Sequence, residues 1–113
     1  SSTFINSGCV LYIGNGIVIG NNVSIAANCV LAPTNHEFEN RNTLHQMQGF
    51  RPSRGGIRIE DDVWIGATSV LLDGATLEVG CVVGACSLVR GSTDPYGIYA
   101  GNPLVKRGER IEK

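Results

Sequence analysis

Histidine is scarce in this chain, with only His36 and His45 in 113 residues. A catalytic zinc takes about three protein ligands and keeps one position open, so two imidazoles fall short of a three-histidine set. The four cysteines, Cys9, Cys29, Cys81 and Cys86, include no CxxC pair and no Cys/His spacing of a metal site. No metal is therefore expected. A run of roughly 18 apolar residues is missing, which excludes a membrane-spanning helix. A secretory apolar core and a basic tail are missing too. Nine Lys and Arg against ten Asp and Glu leave a net charge of −1, without the basic excess of a nucleic-acid binder. Stacked threonine arrays, which an ice-binding face needs, are absent. Residues 57–90 lack the three- and four-residue apolar spacing of an amphipathic helix.

What is present is a six-residue beat. Branched aliphatics fall at Ile13, Ile19, Ile25 and Leu31, and again at Ile59, Ile65, Leu71, Leu77, Val83 and Val89. The position four after most of them is small or β-branched: Ile17, Val23, Cys29, Val63, Ser69, Ala75, Cys81 and Ser87. A sustained six-residue period marks a parallel β-helix, in which each coil buries its neighbour's face. Three hexads, roughly 18 residues, close one triangular coil. A β-sandwich alternates with period two and would not keep this phase. Gly14, Asn15, Gly16, Gly20, Asn21, Asn22, Gly74 and Gly80 suit corners that need positive φ. Cys29 and Cys81 take the small inward position and read as apolar core residues, which fits a reducing, cytoplasmic setting. Charged residues make up 17% of the chain, and a solenoid of this size has open ends and flat apolar faces, so self-association is expected. The whole of 1–113 reads as one β-helix domain with a C-terminal tail at 104–113. It starts at Ser1, without a Met and already within repeat-like sequence, as a fragment or a processed chain would.

The beat breaks once. Leu31 to Ile59 is 28 residues, which leaves a remainder of four on division by six. An excursion over residues 37–56 accounts for the break, and loops of that length inside compact domains are usually functional or disordered. It mixes charges and aromatics, as a wall over a binding cleft would. His36 stands at its start, where an imidazole could take up a proton near neutral pH and return it. His45 lies within the loop and reads as a surface or wall residue.

Thr34-Asn35-His36-Glu37-Phe38, Gln48-Gly49-Phe50, Val63-Trp64-Ile65-Gly66, Val83-Gly84-Ala85 and Ala100-Gly101-Asn102-Pro103 together resemble hexapeptide-repeat O-acetyltransferases. The likeness is to the maltose/galactoside acetyltransferase branch and its polysaccharide-modifying relatives, and it covers nearly the whole chain. Spacing alone leaves handedness open, and parallel crossovers are usually right-handed. The resemblance implies a left-handed parallel β-helix with one extended loop, a homotrimer with active sites between subunits, and acetyl-CoA as cosubstrate. His36 matches the family's general base. Ala67 matches the position that offers a backbone N–H near the thioester, and Trp64 the aromatic that lines the pantetheine channel. Ala85 falls where coenzyme A packs on bare backbone. Lys106 and Arg107 follow the Gly-Asn-Pro turn and could meet its phosphates. Arg90 sits at the same end, where family members often carry Thr-Lys and this chain has Arg90-Gly91. Asn6 resembles an acceptor-site asparagine, whose amide can donate to and accept from a sugar hydroxyl.

The acceptor implied is a hydroxyl of a sugar or surface-polysaccharide precursor. Xenobiotic and amino-sugar acetyltransferases share the fold and stand as alternatives. So does a non-catalytic solenoid scaffold, which would not bind coenzyme A.

Overall fold

The computed structural model describes residues 2–12 and 14–113. Ser1 and Ile13 lie outside the described residues, and with them Ile13's place in the beat. Thirteen short strands follow in chain order among the described residues. They are β1 (Phe4–Ile5), β2 (Val10–Leu11), β3 (Ile17–Ile19), β4 (Ser24–Ile25), β5 (Val30–Ala32), β6 (Ile57–Ile59), β7 (Trp64–Ile65), β8 (Val70–Leu72), β9 (Thr76–Leu77), β10 (Val82–Val83), β11 (Leu88–Val89), β12 (Gly97–Ala100) and β13 (Val105–Glu109).

Up to β11, successive strands join different sheets, and every third strand returns to the same one. Face 1 runs β1-β4-β7-β10-β12-β13, face 2 runs β2-β5-β8-β11, and face 3 runs β3-β6-β9. All pairs are parallel except β12 with β13. The molecule is a three-sided prism with extents of 57 × 27 × 21 Å. Its core is a set of aliphatic columns: Ile25, Ile65 and Val83 inside face 1, Leu31, Leu71 and Val89 inside face 2, and Ile59 and Leu77 inside face 3, all fully buried. Each contributes roughly 1.5–3 kcal/mol relative to an exposed side chain. Tyr99 closes the C-terminal end of the first column, its hydroxyl accepting from the Asp94 N–H at 2.7 Å.

The inward small positions carry a ladder of their own. Cys9 Sγ donates to the Ala26 carbonyl at 3.1 Å, Cys29 Sγ to Gly66 at 3.2 Å, and Ser69 Oγ to Gly84 at 3.1 Å. The buried thiol of Cys29 is thus both a packing group and a donor tying one coil to the next. Burial pushes its pKa up, which keeps the proton it donates.

Corners between faces 1 and 2 use left-handed residues in register: Gly8, Asn28, Thr68 and Cys86. Asn22, Asp62, Gly80 and Tyr96 do the same between faces 3 and 1. Asp62, Thr68, Cys86 and Tyr96 hold this conformation without being Gly or Asn. Gly66 is needed for another reason. A Cβ there would lie 2.5 Å from the Ala85 nitrogen and 2.9 Å from its Cα, so the coils touch backbone to backbone. Gly66→Val is expected to cost about 1–3 kcal/mol through overpacking that the next coil cannot relieve. Urea unfolding beside the wild type measures it, and an unchanged midpoint would show that the coils can part.

Every change of length falls at the corner between faces 2 and 3. Inward residues are six apart around the other corners, as from Ile59 to Ile65 to Leu71. Around this corner, the step is eight from Leu11 to Ile19, 28 from Leu31 to Ile59 and six from Leu71 to Leu77. In the last coil it is four, from Val89 to Thr93, because Ser92 bridges to Thr76. Leu11 therefore pairs with Leu31. The C-terminal tail at 104–113 carries a strand of its own. Residues 105–109 form β13, antiparallel to β12, with a register shift that leaves Arg107 as the extra residue of a bulge. Antiparallel pairing ends the hexad pattern, so no six-residue signal announced it.

Candidate active site

The long excursion leaves and rejoins the prism through an antiparallel stem. His36 bridges Phe50, the Glu37 N–H donates to the Gly49 carbonyl at 2.9 Å, and the Arg51 N–H to the Asn35 carbonyl at 2.8 Å. The tip is closed by Gln48, whose side-chain amide donates to the Asn40 and Thr43 carbonyls at 3.1 and 2.8 Å. His45 begins a single 3-10 turn, His45–Met47, with no buried residue. Arg51 holds the stem's outer side. Its Nε reaches Glu37 at 2.8 Å, its Nη2 reaches Glu39 at 2.6 Å, and its guanidinium lies 4.5 Å over the Phe38 ring.

His36 is exposed, and its imidazole packs against Phe50 with ring centroids 4.6 Å apart. Its backbone N–H is taken by Asn35 Oδ1 at 3.0 Å. Among the described residues its ring nitrogens have no hydrogen-bond partner. A groove of about 380 Å³ opens beside it, lined by Tyr12, Ala32, Thr34, His36 and Phe50.

The other expected residues stand elsewhere on the prism. Trp64 points outward from face 1, half exposed, between Ser24 and Val82. Ala67 and Ala85 follow at the corner between faces 1 and 2, in successive coils. Neither alanine's N–H has an acceptor among the described residues. Asn6 takes the same corner at the N-terminal coil, where its Nδ2 donates to the Ile25 carbonyl at 3.0 Å. His36 belongs to the corner between faces 2 and 3, so one copy of the chain does not bring it to Trp64, Ala67 and Ala85.

The three cations divide as well. Lys106 Nζ is held by Asp94 Oδ2 at 2.9 Å and Glu109 Oε1 at 2.8 Å, and these contacts raise its pKa above the usual lysine range. Arg107, in the bulge, and Arg90, at the corner between faces 2 and 3, have no carboxylate partner among the described residues.

Two features escaped the sequence reading. One is the Phe50 ring on His36, although the Gln48-Gly49-Phe50 stretch had been singled out. The other is a clamp between Arg54 and Asp73, 19 residues apart. The buried Asp73 carboxylate accepts from the Arg54 backbone N–H at 2.8 Å, Nε at 3.3 Å and Nη2 at 3.0 Å. This arginine fork holds the Asp73 pKa below the usual carboxylate range, against the opposing effect of burial. A depressed folded-state pKa adds stability that is present above the unfolded value, about 3.9, and is lost as pH falls through the folded one. The melting temperature is expected to drop below about pH 4. Asp73→Asn is expected to lower it at pH 7 and to flatten that acid limb. Melting curves at the two pH values test this, and an acid limb as steep in the variant would take Asp73 out of it.

The family model described as hexapeptide repeat of succinyl-transferase matches residues 4–33 and 56–89. The chain belongs to this hexapeptide-repeat family. Its fold is the left-handed parallel β-helix of that family. A chloramphenicol acetyltransferase of Agrobacterium fabrum is 38% identical over 67% of this chain and 34% of its own length. A maltose O-acetyltransferase from Clostridium difficile 630 superposes with a TM-score of 0.84 at 28% identity, over 97% of this chain and 57% of that one. A variant of AntD, an N-acyltransferase from Bacillus cereus in complex with dTDP and coenzyme A, gives 0.85 at 26% identity, over 98% and 62%. The chain spans 34%, 28% and 46% of the length of three curated relatives it matches.

Proposed function

We propose that the chain is the β-helix of an acetyl-CoA-dependent acetyltransferase that acts as a homotrimer on a hydroxyl of a sugar or surface-polysaccharide precursor in the cytoplasm. The observation that carries this is the separation of two half-sites. His36, whose ring nitrogens have no partner among the described residues, occupies one corner of the prism, while Trp64 on face 1 leads to another, where the N–H groups of Ala67 and Ala85 have no acceptor among the described residues. Two copies set side by side complete what one copy leaves apart, and a closed ring of three repeats that contact.

In that cleft His36 removes the proton of the acceptor hydroxyl as its oxygen attacks the thioester carbonyl. The Ala67 N–H donates to the oxyanion that develops there. On collapse the carbon–sulfur bond breaks, and the thiolate of coenzyme A recovers the proton from the His36 imidazolium. Trp64 and the bare backbone at Ala85 line the pantetheine path. Arg107 is the freer cation for the cofactor phosphates, because Lys106 already serves Asp94 and Glu109. Asn6 keeps its Oδ1 to accept from a sugar hydroxyl, its Nδ2 being engaged with Ile25. An amine acceptor is the second reading, favoured by the likeness to AntD, and His36 serves it equally as base.

Calorimetric titration with acetyl-CoA, followed by thiol release over a panel of sugars and amino sugars, tests the proposal. Binding with release is the expected result, and no binding at millimolar acetyl-CoA would turn the reading to a scaffold. Trp64→Ala is expected to weaken acetyl-CoA binding more than acceptor binding. Equal acetyl-CoA affinity in that variant would make Trp64 a packing residue.

A further inference from the structure

The register of the loop stem sets one ring on another. The Glu37 N–H donates to the Gly49 carbonyl at 2.9 Å and the Arg51 N–H to the Asn35 carbonyl at 2.8 Å, one residue to either side of the His36–Phe50 bridge. His36 and Phe50 are therefore a non-hydrogen-bonded antiparallel pair, with Cα atoms about 4.5 Å apart and side chains at their closest approach. Their ring centroids lie 4.6 Å apart with the planes tilted by 34°, an attractive aromatic geometry.

An imidazole that takes up a proton must aim one nitrogen at it. A hydrogen bond from the other nitrogen to a carboxylate or carbonyl is the common way to hold it. Among the described residues His36 has no such partner. The adjacent carboxylate, Glu37, is taken by Arg51 Nε at 2.8 Å, and Glu39 by Arg51 Nη2 at 2.6 Å. Strand alternation sends Glu37 and Arg51 to the face of the stem opposite His36. The ring contact that remains to the imidazole is Phe50. Phe50 does little for the core, being 64% exposed and outside the buried cluster. It stands at the groove that His36 shares with Tyr12, Ala32 and Thr34.

We infer that Phe50 is the positioning residue for His36: its ring limits the rotation of the imidazole beside the groove, in the part a carboxylate plays for other histidine bases. The inference rests on the reading of His36 as the base. A catalytic group misplaced by about 1 Å can lose on the order of 100-fold in rate, so a ring that only restricts another ring has a large kinetic effect.

The first test needs no acceptor. The chain has only two histidines, so the His36 ring resonances are assigned by their loss in His36→Ala. Nuclear magnetic resonance of the wild type is expected to show His36 ring protons shifted by the Phe50 ring current and side-chain couplings of a single rotamer. In Phe50→Leu the shift is expected to vanish and the couplings to average, while the melting temperature and the Kd for acetyl-CoA hold. Phe50→Tyr keeps a ring and is expected to keep both signals. An imidazole that averages in the wild type, or stays fixed in Phe50→Leu, would overturn the inference.

The second test is thiol release from acetyl-CoA with glucose, galactose and glucosamine as acceptors. Phe50→Leu is expected to lower kcat roughly tenfold or more at an unchanged KM, and Phe50→Tyr to stay within about twofold of the wild type. In a His36→Ala background Phe50→Leu is expected to cost nothing further, because it acts only through the imidazole. A further loss there, or a raised KM with kcat kept, would make Phe50 a wall of the groove and end its positioning role. Full activity in His36→Ala, or no release by the wild type with any of the three, would remove the base itself, even with the ring ordered. An inactive His36→Ala beside wild-type kcat in Phe50→Leu would spare the base and sink the positioning.

Discussion

Replacing His36 by alanine is expected to lower kcat by about 100-fold or more, the usual weight of a positioned general base. Among the described residues the imidazole makes no contact on which the fold depends beyond its packing on Phe50. The backbone of His36 is held independently by its bridge to Phe50 and by Asn35 Oδ1. The loop stem therefore survives the substitution, and so does the acetyl-CoA site at the other corner. Melting temperature and acetyl-CoA affinity are expected to stay close to the wild-type values while the rate of thiol release collapses. That split is informative, because a structural histidine would move stability and rate together. Wild-type turnover in His36→Ala would end its assignment as base.

The inward positions of the prism were readable because burial on a β-helix obeys one spacing. Ile25, Ile65, Leu71, Leu77 and Val83 are all fully buried where the six-residue phase put them. The break after Leu31 was readable as a remainder in the same arithmetic. What the phase could not show was where residues are added or removed without an aliphatic to mark them. Leu11 therefore pairs with Leu31, and the coil that ends at Thr93 is two residues short. Corner conformation was only half legible. Asn22, Gly74 and Gly80 declare positive φ by residue type, whereas Thr68, Cys86 and Tyr96 adopt it because the coil beneath imposes the register. The site was legible in a different way. His36, Trp64, Ala67 and Ala85 came from resemblance to a family, since periodicity says nothing about chemistry. The clamp of Arg54 on Asp73 came from neither, because it joins a loop to a corner across a separation with no periodic meaning.

Two inactive variants are expected to restore one another. Ala67→Pro removes the N–H proposed to hold the oxyanion. Loss of one such donor costs about 100- to 1000-fold in kcat. The substitution sacrifices no internal hydrogen bond, because the Ala67 N–H has no acceptor among the described residues. If His36 of one copy faces Ala67 of the next, each active site draws one half from each of two chains. Equal amounts of His36→Ala and Ala67→Pro, unfolded and refolded together, then form mixed trimers. A site works when the chain giving the histidine is the proline variant and the chain giving the N–H is the alanine variant. Random assembly makes that about one site in four, so activity is expected to return to roughly a quarter of wild type. Each variant refolded alone is expected to stay inactive. A site contained within one chain predicts no recovery, because every chain in the mixture carries a defect. Recovery near a quarter would therefore show that the two corners of the prism, kept apart in one chain by the triangular coil, meet only across the boundary between copies.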